Sequence, residues 1–174
     1  LDEIVEALYT CGDPGIHFTA TINRWHTCKQ SGRINSSTPC TEFLFIDNSA
    51  CNLSSINLIT FLENKTFNIQ NFIQVVQILI TAMDIICELS NYPTKSITEN
   101  SHKFRPLGLG YTNLGSLLMS CGVPYDSDEA RTIASAITGL MTSEAYRTSW
   151  ELGTIKEPFA GYSNNKESMS DVLR

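Results

Sequence analysis

At 174 residues the chain is long enough for one domain with a core of its own. Apolar residues make up 42% and charged residues 17%, which excludes a disordered segment and describes a globular interior. A formal net charge of −6 with no run of Lys and Arg excludes a nucleic-acid-binding surface.

The chain opens on "LDEIVEALY", a helical pattern already under way at Leu1, and "CGDPG" stops it with Gly and Pro. Residues 1–174 are therefore expected to be one domain that is an internal fragment of a longer protein. "IHFTATINR" alternates weakly and predicts a short strand. From Trp25 to Pro39 the chain is polar and expected to be loop. "EFLFI" is a compact run of aromatic and branched residues and predicts a buried strand. "DNSACNLSSINL" then leads out through a second short strand or a turn.

Between Ile69 and Leu89 the polar residues Gln70, Gln74, Gln77, Thr81, Asp84 and Glu88 recur every three or four positions. They draw one polar stripe down a helix whose remaining surface is apolar. "NYPTKS" ends that helix. "RPLGLGYTNLGSLLMSCG" predicts a glycine-rich turn and then a short helix ending near Gly122. Asp126 and Glu129 form a capping box for a helix from Asp128 to about Leu152. After Gly153 the chain is expected to be loop, with a last short helix around Lys166. Strands separated by long helices indicate α/β architecture.

No secretory signal is visible, and no uninterrupted apolar run reaches the roughly eighteen residues of a membrane span. The expected location is cytoplasmic, with no membrane partner. The six cysteines lack the density of a secreted disulfide scaffold, so working thiols are expected instead.

Several constellations have bland explanations. Gly108, Gly110 and Gly115 read GxGxxxxG, with the third glycine one position late for a dinucleotide fingerprint, and a tight turn with close helix packing accounts for them. Cys11, His17, His26, Cys28 and Cys40 could be assembled into a zinc site, but no C-x-x-C is present. His102, Lys103 and Arg105 are equally a phosphate cluster or a solvated helix end. Cys87 and Cys121 lie on apolar faces as small hydrophobes. A cysteine-hydrolase reading would pair Cys40 with His17 or His26, which no spacing supports.

The stretch "SSTPCTEFLFIDNSACNLSSINL" remains. Cys40 and Glu42 would share one face of a strand, while Pro39 favours a finger-like loop with the thiol at its tip. Cys51, eleven positions beyond Cys40, could return to the same pocket. A thiol beside a positioned carboxylate suits redox or nucleophilic work on a bound substrate. Packing alone is the competing explanation.

"CGDPGIHFTATINRWHTC", "SGRINSSTPCTEFLF", "ACNLSSINL", "FRPLGLGYTNLGSLL" and "GVPYDSDEAR" together resemble the catalytic chain of ribonucleotide reductases, most closely the adenosylcobalamin-dependent branch. The resemblance implies a partial segment of that family's ten-stranded α/β barrel, helix-rich, with a catalytic finger loop. It implies thiyl-radical reduction of ribonucleotides, as diphosphates, to deoxyribonucleotides. By it, Cys40 carries the radical, Glu42 is the general base, and Cys51 is one of two reducing cysteines, its partner outside this chain. Ser37 and Thr38 would contact substrate. Thr38 stands where the family has Asn; threonine is shorter with one donor, and would bridge through water or do the job poorly, so reduced or altered turnover is expected, which Thr38→Asn should raise.

Adenosylcobalamin and an external dithiol reductant are the implied cofactors, with no identifiable residue here binding the cobalamin and no metal ligand. The implied partners are a ribonucleoside diphosphate, nucleotide effectors, a thioredoxin-like reductant and a second copy in a homodimer, and no nucleic acid. Two alternatives stay open: a large subunit fed by a separate radical-generating subunit, and a non-catalytic module stabilised by zinc through Cys11 and Cys28.

Overall fold

A computed structural model describes residues 1–174, which divide into two compact units. The first comprises Leu1–Asp47 with Ser163–Arg174, and the second Asn48–Tyr162.

The second unit is built on a parallel pair of strands, β1 (Asn52–Asn57) and β4 (Leu107–Thr112), registered from Asn52 opposite Leu107 to Asn57 opposite Thr112. Parallel strands need a long crossover. Here it includes a small antiparallel pair, β2 (Leu62–Glu63) and β3 (Thr66–Phe67), then α3 (Ile69–Leu89) and α4 (Lys95–Phe104). α5 (Leu114–Cys121) and α6 (Asp128–Lys156) follow β4.

α3 has the bounds its polar stripe predicts, and the Asn68 side chain caps it by accepting the Asn71 N–H at 3.1 Å. Its length and apolarity would suffice to cross a membrane. Its inner face instead buries Phe72, Val76, Ile80 and Met83 in a core with Ile56, Leu58 and Phe61. Leu117, Ile137 and Met141 close the same core from α5 and α6. Burying each such side chain contributes about 1.5–3 kcal/mol, so this cluster is the main source of the unit's stability.

Charged groups tie the helix ends together. Arg105, in the left-handed region at φ 50°, donates from Nε to Asp84 Oδ1 at 2.7 Å and from Nη2 to the Asp84 carbonyl at 2.8 Å. Lys156 reaches Glu88 at 2.6 Å from the end of α6. Arg105 is thus folded inward and is not part of a solvated helix end.

Two further expectations change here. "RPLGLGYT" is strand rather than turn: the glycines weaken the alternation that marks strands, but Gly108 pairs with Leu53 in the ladder. α6 is capped by Ser127 rather than by Asp126: Ser127 stands at the N-cap position and its Oγ accepts the Ala130 N–H at 3.1 Å. The helix also runs on to Lys156, past the loop expected after Gly153.

The first unit contains α1 (Asp2–Cys11), α2 (Thr19–Arg24) and α7 (Tyr162–Leu173) from Ser163 onward. α2 occupies the segment predicted as strand. There the Ile22 N–H reaches the Phe18 carbonyl at 3.0 Å, a local bond that outweighs the β preference of Thr and Ile. Side-chain amides do the work that a sheet does elsewhere. Asn23 bonds both backbone groups of Ile34 at 3.0 Å, and the fully buried Asn165 accepts the Gln30 N–H at 2.9 Å. Each such bond contributes about 0.5–1.5 kcal/mol net.

Candidate functional site

The loop bearing Cys40 is closed at two levels. At its base Asn35 Nδ2 donates to Asp47 Oδ2 at 2.8 Å. Nearer the tip, the Thr38 N–H reaches the Phe43 carbonyl at 3.2 Å, and the Phe43 N–H returns to Thr38 Oγ1 at 3.1 Å. These bonds use the backbone groups of Phe43 that a strand ladder would take, and "EFLFI" forms no strand. The result is the finger that Pro39 suggested.

Within it, Thr38 to Thr41 make a turn closed by the Thr41 N–H on the Thr38 carbonyl at 3.0 Å. Pro39 takes the second position, whose φ its ring presets, and Cys40 the third. The Cys40 thiol is exposed at the tip. Thr41 follows at φ 61°, a left-handed conformation unusual for a branched residue and costing about 1–3 kcal/mol.

The Glu42 carboxyl is held below the usual carboxylate range, first by the Thr38 hydroxyl and then by the backbone N–H groups of Glu42 and Cys40. The Thr38 hydroxyl has one proton. The Phe43 carbonyl lies 3.5 Å from Thr38 Oγ1, a long bond for it. Thr38 Oγ1 thus braces the turn by accepting from the Phe43 N–H, and the same hydroxyl favours the charged form of Glu42.

Ser37 donates to the Thr38 carbonyl at 2.7 Å. His17 Nε2 lies 3.2 Å from both Ser37 Oγ and Thr41 Oγ1. Local spacing does not bring His17 to this loop, since 20 residues separate it from Ser37 and 24 from Thr41. Its ring nitrogen is spent on hydroxyls, which does not favour the cysteine-hydrolase pairing with Cys40. His26, the other candidate for that pairing, is buried edge-on to Phe45 at 5.6 Å. Its Nδ1 accepts the Cys28 N–H at 3.3 Å, and its Nε2 has no hydrogen-bond partner.

Cys51 belongs to the second unit, one residue before β1. Its half-buried thiol lies 3.4 Å from the Asn52 carbonyl. Gly108 leaves room for it: a Cβ there would sit 3.2 Å from Cys51 Sγ and 2.5 Å from Leu53 Cδ2. Cys11, Cys28, Cys40, Cys87 and Cys121 are free thiols.

No three His, Cys, Asp or Glu side chains converge on a metal position. Zinc through Cys11 and Cys28 therefore lacks a ligand set: Cys11 is exposed on the backbone carbonyls of Ala7 and Asp13, and burial pushes the Cys28 thiol up. The histidines do not fit a cobalt ligand either. His17 is committed to hydroxyls, His26 is enclosed, and His102 packs on the Tyr92 ring at 5.7 Å.

Residues 1–173 match the family described as ribonucleotide reductase, barrel domain. The vitamin B12-dependent ribonucleotide reductase of Streptomyces clavuligerus is 48% identical over 99% of this chain. That of Rhodopirellula baltica is 46% identical over the whole chain. The vitamin B12-dependent ribonucleoside-diphosphate reductase of Mycobacterium tuberculosis is 31% identical over 99%. The chain spans 18%, 17% and 25% of those proteins respectively. Among solved structures, the class Id ribonucleotide reductase alpha subunit of Actinobacillus ureae aligns with a TM-score of 0.75 at 21% identity. That alignment covers 92% of this chain and 32% of that one.

Proposed function

This chain belongs to the ribonucleotide reductase family as part of its barrel domain, and we propose that within a longer protein it carries out reduction of ribonucleotides to 2′-deoxyribonucleotides. The observation that carries this reading is the Thr38–Thr41 turn, which presents Cys40 exposed at its tip, with Glu42 two residues on and its pKa lowered by groups of the same turn.

The chemistry follows from those groups. A thiyl radical on Cys40 removes the 3′-hydrogen of the ribose, a step reversible in energy because S–H and activated C–H bonds are of similar strength. Glu42 takes the 3′-hydroxyl proton while the 2′-hydroxyl, protonated by one of the reducing thiols, leaves as water, and its depressed pKa keeps it ionised at neutral pH to do so. Cys51 and a second thiol from outside this chain give up two electrons and two protons and close to a disulfide, which an external dithiol of the thioredoxin type reopens. Cys40 then returns its hydrogen to C3′, and Glu42 returns its proton to the 3′-oxygen. Ser37 and Thr38 hold the turn and its carboxylate, and so the substrate's ribose, in register.

The names of the relatives favour adenosylcobalamin as the cofactor, and one of them favours diphosphate substrates. Bound to the longer protein, the cofactor supplies the radical. No histidine of this chain fits it as a ligand, so no step above is assigned through it. The reading carries with it nucleotide effectors, a homodimer and a cytoplasmic location for the longer protein.

The test is product formation by the full-length protein from CDP and a dithiol, with and without adenosylcobalamin. Product only with the cofactor supports the reading. Product only with a separate radical-bearing subunit would move it to the alternative branch.

A further inference from the structure

His17, far from the Cys40 turn in sequence, bridges both of its flanks. Its Nε2 lies 3.2 Å from Ser37 Oγ before the turn and 3.2 Å from Thr41 Oγ1 after it. The hydrogen bonding fixes the direction. Ser37 has one hydroxyl proton and commits it to the Thr38 carbonyl at 2.7 Å, so its oxygen accepts from His17. Nε2 therefore carries a proton, and Thr41 Oγ1 lies within reach of that same proton. Both the neutral Nε2–H tautomer and the imidazolium have it, so the bridge does not depend on the charge of His17.

Thr41 supplies an independent reason for such a bridge. A branched residue at φ 61° relaxes unless its surroundings over-determine it. Its N–H is held by the Thr38 carbonyl at 3.0 Å, and its side chain by His17. Release of the side chain leaves one backbone bond to keep the strained residue, and with it the direction of the Cys40 thiol.

We propose that His17 is a positioning residue, whose donated hydrogen bond holds the Ser37–Thr41 turn in the conformation that presents Cys40 to the ribose. It acts through Ser37 and Thr41 and touches no reacting atom. The proposal rests on the reductase reading for its kinetic arm only.

The experiment compares His17→Ala and His17→Gln with wild type in the full-length protein. A glutamine amide offers two N–H donors, one for each hydroxyl oxygen. In His17→Ala, amide exchange across residues 37–44 is expected to speed up about two- to tenfold, the range one neutral hydrogen bond supports, with residues 52–57 unchanged. Over the same factor kcat is expected to fall, while KM for CDP stays within about twofold, since the group bound is unchanged and only the thiol's presentation is lost. His17→Gln is expected to restore both. Unchanged exchange in His17→Ala overturns the proposal, as does a loss confined to KM or a His17→Gln variant as impaired as alanine. Absence of deoxynucleotide product from wild type would defeat the reductase reading alone, and the exchange arm would still decide whether His17 holds the turn.

Discussion

Thr38 and Phe43 are joined by two hydrogen bonds, from the Thr38 N–H to the Phe43 carbonyl at 3.2 Å and from the Phe43 N–H to Thr38 Oγ1 at 3.1 Å. The second bond makes the threonine hydroxyl an acceptor, and the same hydroxyl is the largest cause of the lowered Glu42 pKa. One oxygen thus couples the shape of the Cys40 turn to the charge of the carboxylate beside it.

Thr38→Val keeps the shape of the side chain and removes that oxygen. The Phe43 N–H then loses its partner, at a cost of about 0.5–1.5 kcal/mol to the turn. Glu42 is expected to titrate closer to its ordinary 4.5, read by NMR, with turnover reduced. Thr38→Asn keeps both an acceptor and a donor and should give at least wild-type turnover, with Glu42 still depressed. A fall in turnover in Thr38→Asn would contradict this role for the hydroxyl.

His26 makes the first unit acid-sensitive. Burial lowers its pKa, with Lys29 acting in the same direction and the Gly32 backbone opposing. The unfolded chain therefore binds a proton below about 6.5 that the folded one resists. Stability is fully present above that value and declines as pH falls toward the depressed pKa. Local opening of residues 26–34, measured by amide exchange corrected for intrinsic rates, should increase over that window. In His26→Phe that pH dependence should vanish.

Gly108→Ala brings a methyl group to 3.2 Å from Cys51 Sγ and 2.5 Å from Leu53 Cδ2. Leu53 is exposed and can swing aside, while the half-buried sulfur must shift. Overpacking of this kind costs about 1–3 kcal/mol. The expected signature is altered Cys51 alkylation, resolved by peptide mass, with Cys40 alkylation unchanged. Equal effects on both thiols would point to general disruption instead.

Arg105→Ala leaves Asp84, whose side chain is only 15% exposed, with Lys156 at 3.7 Å as its remaining cation. Loss of hydrogen bonds to a charged group of this kind costs about 1.5–3 kcal/mol. Amide exchange in α3 and β4 of the full-length protein should report a destabilisation of about 2 kcal/mol. A change below about 0.5 kcal/mol would show the network to be surface decoration.

Sequence and structure agree most closely where packing repeats locally. The polar stripe from Gln70 to Glu88 is one face of α3, and the start of α6 at Asp128 was legible from the polar residues before it. The strand β4 was not, because Gly108 and Gly110 have no side chains to alternate, and the ladder with residues 52–57 decides it. "EFLFI" has the composition of a strand, but its Phe43 bonds across the finger to Thr38. Cys40 and Glu42 stand out by their neighbours in the chain. The bond of Thr38 to Phe43, the room Gly108 leaves for Cys51 and the reach of His17 to Thr41 depend on folded contacts that local spacing does not encode.

The most direct measurement is deoxynucleotide formation by the full-length protein carrying Cys40→Ser or Cys40→Ala, with CDP, dithiol and adenosylcobalamin supplied. A serine O–H bond is much stronger than a thiol S–H bond, so a radical cannot be shared reversibly between the oxygen and the ribose carbon. Both variants are therefore expected to form no product while retaining nucleotide binding. Turnover in either one, at a rate approaching wild type, would contradict the assignment of the radical to Cys40.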